Sequence, residues 1–261
     1  MSYLAMSYRC QLFEEIAEKI WNRICRKHSL HLNDKEEGIT NDIIADIVEY
    51  HQNNYIDNFD VYARAGYKES TTGSDVDLFV ETEIDQYIWY PLQAKLLKKD
   101  RKYHYLFYPQ KEKQQWELLT ELESFGAIPY YLFYNGVDNF SYNGKDKCLR
   151  EYNEKQLGCS IVKPLIVKNV YENKNLPEFK DFHTAHSQPW RVLICCHNHS
   201  QTKFSLKEIE DSNIYLKLEK LGEERKEINE DIFQNENKVI SACEKTNWKP
   251  DYRIIVKRTY R

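Results

Sequence analysis

The spacing of apolar residues changes near residue 59, and this change constrains the fold more than any other feature of the sequence. Before it, apolar side chains recur every three or four positions in residues 8–28 and again after Thr40. This spacing predicts two amphipathic helices, the second of which is capped by Thr40. After it, residues 75–81 alternate in character and residues 87–97 are typical of a return strand. The chain is therefore expected to begin with helices and to continue into a β-hairpin.

The rest of the chain supplies further predicted elements. They are a helix over 112–125 that ends at Gly126, and strands over 129–134, 160–162 and 191–196. Residues 168–188 show no pattern that assigns an element.

A long acidic segment follows, and its first turn is a capping box formed by Ser205 and Glu208. Its apolar stripe is interrupted by Arg225 and Asn235, which favours a helix packed on its own chain, with a homodimer through this helix as the alternative. The predicted organisation is an N-terminal helix in residues 1–34, a core in residues 35–202, and a long acidic helix with a basic C-terminal strand or tail in residues 203–261.

Composition excludes several classes of protein. The 261 residues carry a formal charge of −4, so contact with nucleic acid requires a local basic patch rather than a generally basic chain. No apolar run approaches the roughly 18 residues of a membrane span, and the N-terminus lacks the pattern of a signal peptide. The seven cysteines are odd in number and irregularly spaced, which favours a reducing, cytoplasmic environment over a disulfide framework.

Two short motifs of the predicted hairpin carry the chemistry. Residues 73–77 read Gly-Ser-Asp-Val-Asp, and residues 93–95 read Gln-Ala-Lys. Positions two apart on a strand project from the same face, so Gln93 and Lys95 point together, as do the two aspartates. In a paired hairpin, carboxylate and amide oxygens converge with an ammonium group, and such hard ligands suit Mg²⁺ or Mn²⁺. A lysine beside such a metal can orient a water molecule and stabilise the transition state of phosphoryl transfer.

These motifs resemble those of the PD-(D/E)xK nuclease superfamily, in the Mrr-like variant in which glutamine replaces the second acid. The resemblance implies that Asp75 is the principal metal ligand, Gln93 a further ligand and Lys95 the catalytic lysine. The fold that it implies is α/β, a restriction-endonuclease-like mixed sheet flanked by helices, with a C-terminal helical appendage.

In this family a helix that precedes the hairpin supplies a glutamate. Glu37 is the first choice as a catalytic residue and metal ligand, and Glu49 and Glu69 are the alternatives. Two further residues are candidates for the site. Asp77 lies on the same predicted face as the principal ligand, and Gln115 begins a segment similar to one in uncharacterised bacterial restriction-endonuclease-like proteins.

The resemblance covers roughly residues 35–200 and implies a function. The expected activity is metal-dependent hydrolysis of phosphodiester bonds in DNA, and the expected role is defence against phage. One alternative is a non-catalytic module on the same fold that binds nucleic acid or a partner protein, and another is an RNase. An activating partner protein is also compatible with the acidic composition of the chain.

A basic segment directly after the second motif is the predicted nucleic-acid-binding surface. Its cations are Lys98, Lys99, Arg101 and Lys102, and aromatic residues are interleaved from Tyr103 onward. Lysine and arginine can neutralise phosphates while aromatic rings stack on exposed bases. A solvated loop whose rings face the core is the equally weighted alternative.

The run Cys195-Cys196-His197 is the remaining motif of interest. Adjacent side chains of a strand point to opposite faces, so the two cysteines cannot easily bind one tetrahedral zinc ion. The sequence instead favours buried cysteines at the end of a strand.

Overall fold

A seven-stranded mixed sheet organises the chain in the computed structural model. The structure describes residues 3–53, 59–65, 73–107, 113–141, 153–183, 185–196, 202–205, 207 and 252–258. The strands are β1 (Phe59–Ala65), β2 (Val76–Glu83), β3 (Gln86–Leu96), β4 (Tyr130–Tyr134), β5 (Cys159–Val162), β6 (Gln188–Pro189) and β7 (Tyr252–Arg258). Their spatial order is β1-β7-β2-β3-β4-β5-β6. The pairs β2–β7 and β3–β4 are parallel, and the other neighbours are antiparallel.

Helices cover both faces of this sheet. They are α1 (Tyr3–Ser29), α2 (Glu36–Asn53), α3 (Gln115–Glu121), α4 (Pro164–Asn173), α5 (Phe179–His183) and α6 (Val192–Cys195), with short 3₁₀ turns at Leu122–Phe125 and Glu154–Gly158. Apolar residues of α1, α2 and α6 pack on one face in a single buried cluster. Those of α3, α4 and α5 pack on the other face in a second cluster. The predicted α/β class, with helices flanking a mixed sheet, is confirmed.

The predicted hairpin is confirmed with its side-chain alternation. Val76, Leu78 and Val80 lie in the cluster beneath α1 and α2, whereas Phe79 lies in the cluster on the opposite face. Strand β3 then pairs antiparallel with β2, so that Val76 lies opposite Leu92. Burial of both faces explains why nearly every residue of the hairpin is inaccessible to solvent.

The prediction that Thr40 caps the second helix is wrong. The helix begins at Glu36, and Thr40 is buried inside its first turns instead of capping it. The Thr40 hydroxyl donates a hydrogen bond to the carbonyl of Glu36 at 3.0 Å, as threonines inside helices often do. Two glutamates in the first turn interact favourably with the helix dipole, which accounts for the earlier start.

The strand predicted over 191–196 is wrong, because this short apolar run forms α6. Residues 168–188, left without an element, contain the end of α4, all of α5 and the start of β6. The long helix predicted from Ser205, and with it the homodimer alternative, falls mainly on residues 208–250, which lie outside the described residues. Within the described ranges, none of the helices combines the length and the apolar character needed to cross a bilayer.

Both ends of the described chain belong to the core. Helix α1 supplies Phe13 and Ile20 to the main buried cluster, and β7 supplies Ile254 and Val256. Because β7 lies between β1 and β2, residues 252–258 of the basic C-terminal segment form an interior strand of the sheet. Among the described residues, the main buried cluster therefore contains side chains from both sides of residues 34 and 202.

Two of the seven cysteines are close together in space although they lie far apart in sequence. Cys10 of α1 and Cys195 of α6 are joined by a disulfide. The sulfur of Cys196 lies 3.6 Å from that of Cys195. Because the segment is a helix rather than a strand, these adjacent side chains do not point to opposite faces.

Candidate active site at the edge of the sheet

The residues of both sequence motifs meet at one edge of the sheet. Strand β2 begins at Val76, opposite Leu92, so the end of β3 extends past the start of β2. Asp75 therefore lies beside Gln93 and Ala94, the residues that follow Leu92. The parallel strand β4 ends at the same edge, because Leu96 of β3 is paired with its last residue.

Hydrogen bonds fix the carboxylate of Asp75 against β3. The side-chain amide of Gln93 donates to the Oδ2 atom of Asp75. The backbone N–H of Ala94 donates to the same oxygen at 2.8 Å. Two donors on one oxygen hold the carboxylate in one orientation. The predicted association of Asp75 with Gln93 is thus present in the structure.

Gly73 allows the chain to reach this position. Its φ angle is +80°, in the left-handed region, and a Cβ atom placed on it would stand 3.0 Å from the carbonyl oxygen of Gln115. Both the backbone conformation and the close approach favour glycine. The glycine of the motif therefore has a structural role, because it turns the chain against the start of α3 just before Asp75.

Glu36, rather than the predicted Glu37, contacts the edge of the sheet. Its Oε1 atom accepts a hydrogen bond from the backbone N–H of Leu96 at 3.0 Å. Glu37 is exposed, whereas Glu36 is partly buried. Adjacent residues of a helix point about 100° apart, so only one of the two reaches β3. Sequence reasoning missed Glu36 because it placed the helix start at Thr40.

A short hydrogen-bond chain holds Glu36 in place. The Tyr134 hydroxyl at the end of β4 lies 2.9 Å from Thr40 Oγ1, which itself donates to the Glu36 carbonyl. Tyr134 therefore donates to Thr40. Burial raises the pKa of Tyr134 well above its usual value, and the nearby carboxylates of Asp75 and Glu36 add to this rise. The carboxylates of Asp75 and Glu36 thus both act electrostatically on the Tyr134 hydroxyl. Sequence reasoning did not identify Tyr134 as part of the site.

Lys95 is buried at the same edge, with 2% of its surface exposed. It lies on β3 opposite Phe133 of β4. Gln93 and Lys95 alternate with Leu92, Ala94 and Leu96, which lie in the cluster beneath α1 and α2. The predicted shared face of Gln93 and Lys95 is therefore confirmed. An ammonium group inside the sheet is costly to desolvate, so a buried lysine needs a polar or charged environment.

Asp77 has a different environment from Asp75. It is fully buried, and its Oδ1 atom accepts a hydrogen bond from the indole N–H of Trp89 at 2.8 Å. The Ser74 hydroxyl contacts the same oxygen at 3.4 Å. Asp77 therefore lies inside the sheet, where its carboxylate accepts the hydrogen bond of the buried Trp89 indole.

The other candidate residues lie apart from Asp75 or at the margin of the site. Glu49 is exposed near the end of α2, about 20 Å along the helix from Glu36. Glu69 lies outside the described residues. Gln115, at the start of α3, is next to Gly73, and its buried Oε1 atom has no hydrogen-bond partner among the residues that the structure describes.

Three side chains of this edge carry oxygen atoms of the type that a hard divalent cation binds. Asp75 and Glu36 supply carboxylates and Gln93 supplies an amide oxygen, which are ligands that Mg²⁺ and Mn²⁺ accept. Across the described ranges, no group of three or more His, Cys, Asp or Glu side chains is placed to hold a metal. Any metal here would therefore depend on two carboxylates and the amide, and on water or substrate oxygens for its remaining ligands.

The basic segment begins where β3 ends. Lys99 and Arg101 are exposed, while Lys98 and Lys102 are partly buried. Leu97 pairs with Tyr103 across the segment, and the N–H of Lys98 donates to the carbonyl of Lys102 at 3.0 Å. The four predicted cations thus lie in one closed turn next to the edge that holds Lys95.

A buried polar network, which sequence reasoning also missed, lies behind this turn. The Tyr103 hydroxyl donates to Asn135, and Asn135 Nδ2 lies 3.0 Å from both Ser160 Oγ and His183 Nε2. His183 Nδ1 lies 2.9 Å from the carbonyl of Phe179, so the ring donates from Nδ1 and accepts at Nε2. Burial lowers the pKa of His183 to about 3, so the ring is neutral.

The fold and this edge together define an α/β protein whose mixed sheet carries an aspartate, a glutamine and a lysine beside a glutamate from a flanking helix. Residues 9–259 match a family described as a family of unknown function (DUF6615), and the chain belongs to that family. Comparison with curated proteins and with solved structures gave no match.

Proposed function

We propose that this protein is a metal-dependent nuclease of the PD-(D/E)xK type that hydrolyses phosphodiester bonds in DNA. One observation carries the proposal: the Gln-Ala-Lys segment of β3 donates two hydrogen bonds to the carboxylate of Asp75 and places Lys95 at the same edge. The two motifs are separated in sequence, yet they meet as the resemblance implies.

Asp75, Glu36 and Gln93 would hold Mg²⁺ or Mn²⁺ in this proposal. When bound, the metal would polarise a phosphoryl oxygen and lower the pKa of a coordinated water. The Gln93 amide and the Ala94 N–H hold Asp75 in one orientation. Tyr134 and Thr40 do the same for the helix turn that carries Glu36. Preorganised ligands of this kind lose little freedom when substrate arrives.

Lys95 would act on the scissile phosphate. Its ammonium group would stabilise the negative charge that builds up on the phosphoryl oxygens and orient the attacking water. Within a sheet edge shielded from solvent, this interaction is stronger than it would be in water. The basic turn that follows would bind the flanking phosphates of DNA. A cytoplasmic role in defence against phage follows from the resemblance and is part of the proposal.

Cleavage assays test the proposal. Wild-type protein and Lys95→Met would be incubated with supercoiled plasmid, linear duplex DNA and single-stranded RNA, each with Mg²⁺, Mn²⁺ or EDTA. We expect metal-dependent cutting of DNA by the wild type and none by Lys95→Met, since methionine fills the same space without the charge. Cutting of RNA alone would instead identify an RNase. A wild type that cuts none of the substrates would contradict the proposal.

Lys163→Met is the matched control for this assay. Lys163 is partly buried, in contrast to the fully buried Lys95, and burial lowers its pKa. It lies over the ring of Tyr130, the first residue of β4, whereas the candidate site lies beside the last. Its loss should leave cleavage unchanged, which separates the charge of Lys95 from the general effect of removing a buried ammonium group.

A non-catalytic binding module is the second candidate function. It is favoured by the small number of carboxylates: no cluster of three acidic or other metal-binding side chains occurs among the described residues. In that case the wild type would bind nucleic acid and not cut it, and Lys95→Met would change the affinity only slightly.

A further inference from the structure

We infer that the turn after β3 (residues 98–102) and the loop between α1 and α2 (residues 30–35) form a binding surface for a single strand of nucleic acid. One base of that strand would stack against Tyr105. The phosphates of the strand would lie along the cations of residues 98–102. The inference rests on the proposed function for its substrate class, but the surface and its test do not depend on cleavage.

Positive charge is concentrated on this surface. Four of the five residues from 98 to 102 are lysine or arginine, and the fifth, Asp100, is paired with His104 at 2.9 Å. Lys99 reaches across to the ring of His31, in the loop that joins α1 and α2. Lys99 therefore joins the basic turn to this loop.

The positive charge of the turn also acts on His28 of α1. The pKa of His28 is lowered chiefly by burial, and Lys98, Lys99 and Arg101 lower it further against the opposing effect of Asp138. Three lysine or arginine side chains thus act electrostatically on the same ring. A potential of this sign attracts the phosphates of a nucleic acid and not its bases.

Tyr105 supplies the stacking surface. Its side chain is 68% exposed, whereas Tyr103, two residues earlier, is buried in the polar network. Tyr105 lines a cleft of about 540 Å³ together with Asn33, Lys98, Lys99, Asp100 and His104. An exposed ring bordered by cations is the combination that single-strand binding proteins use, because every base has a face that can stack.

The turn is held in place before any ligand binds. The N–H of Tyr103 donates to the carbonyl of Pro177 at 2.9 Å, and the carbonyl of Arg101 accepts from Phe179 at 3.0 Å. The buried hydroxyl of Tyr103 adds the contact with Asn135. A surface that is already ordered pays a smaller entropic cost on binding than a mobile loop.

A single strand fits this surface better than a duplex does. Within a duplex the face of each base is covered by its neighbours, so an exposed tyrosine has no base to stack on. In an unpaired strand the base can turn outward onto Tyr105 while its phosphates stay on the lysines. The surface would therefore select unpaired ends, flaps or loops next to the candidate active site.

Fluorescence anisotropy in EDTA tests the inference without cleavage. The probes are fluorescein-labelled oligo-dT and oligo-rU of roughly 15 nucleotides and a DNA duplex of the same length. We expect Tyr105→Ala to weaken binding of both single strands about ten-fold and to leave duplex binding unchanged, while Tyr105→Phe keeps the affinity because it keeps the ring. We expect Arg101→Gln to reduce the salt dependence by about 0.7 in log–log slope, the value for one phosphate on a single strand.

Two control variants lie away from the surface. Ile84→Ala removes another exposed apolar side chain, at the turn between β2 and β3, and Lys19→Gln removes an exposed cation of α1. Neither should change the affinity. Equal single-strand affinity of Tyr105→Ala and wild type would overturn the inference even if the protein cuts DNA. Loss of single-strand binding in Tyr105→Ala would support the surface even if the wild type never cuts.

Discussion

At the scale of single residues, two adjacent glutamates of α2 differ in their surroundings. Glu36 accepts a hydrogen bond from the backbone of β3, whereas Glu37 faces solvent. The Glu36→Gln variant should lose about 100-fold in metal-dependent cleavage, because it loses a charged ligand, while Glu37→Gln should stay within about two-fold of the wild type. The measurement is the initial rate of plasmid nicking at limiting Mg²⁺. Equal losses in the two variants, or a larger loss in Glu37→Gln, would show that the helix acid has been assigned to the wrong residue.

Gln93 and Lys95 are predicted to share a face because they stand two positions apart on one strand. Asp75 is predicted to lie near them because the two strands are expected to pair as a hairpin, and the resemblance then gives all three residues their roles. The position of Glu36 cannot be predicted in this way, because it depends on how α2 packs against β3. Its contact with Leu96 joins residues far apart in sequence, and no local pattern encodes it.

At the scale of elements, the network around His183 joins β4, β5, α5 and the basic turn. The folded-state pKa of His183 is about 3, below its ordinary value of 6.5. Between these values the unfolded chain binds a proton that the folded chain does not. Acid therefore favours unfolding in this range, and the contribution of His183 to stability is fully present only above about pH 6.5.

Replacing His183 by glutamine should remove this dependence. The unfolding free energy of the wild type should fall relative to His183→Gln by up to about 1.4 kcal/mol for each pH unit below about 6.5. Urea denaturation at neutral and mildly acidic pH measures the difference. His186→Gln is the control, since His186 is exposed and close in sequence. A difference between wild type and His183→Gln that does not change with pH would show that the pKa of His183 is not lowered by folding.

Other elements show where sequence patterns fail. Residues 191–196 are apolar over too short a run to distinguish a strand from a helix, and tertiary packing selects α6. The basic character of residues 98–102 was predicted from the sequence. The closure of this turn was not, because it depends on the contact of Tyr103 with a buried network built from three distant segments. Nonlocal polar contacts of this kind carry no periodic signal.

At the scale of the whole molecule, the ends of the chain complete the structure. Strand β7 lies between β1 and β2, and α1 packs beneath the hairpin that carries Asp75 and Gln93. The disulfide between Cys10 and Cys195 ties α1 to α6, across 185 residues of sequence. None of these long-range pairings follows from local propensity. The fold class was predictable from the resemblance and the hairpin pattern, whereas the order of strands was not.

Plasmid cleavage by a matched pair of aspartate variants tests the central claim most directly. The wild type should cut with Mg²⁺ or Mn²⁺ and not with EDTA, and Asp75→Asn should not cut although it unfolds at the same urea concentration as the wild type. Asp77→Asn should be less stable, because Asp77 satisfies the buried indole of Trp89, yet it should cut at nearly the wild-type rate under conditions where it is folded. Wild-type cleavage that survives in Asp75→Asn, or its loss in folded Asp77→Asn alone, would contradict the assignment of the site.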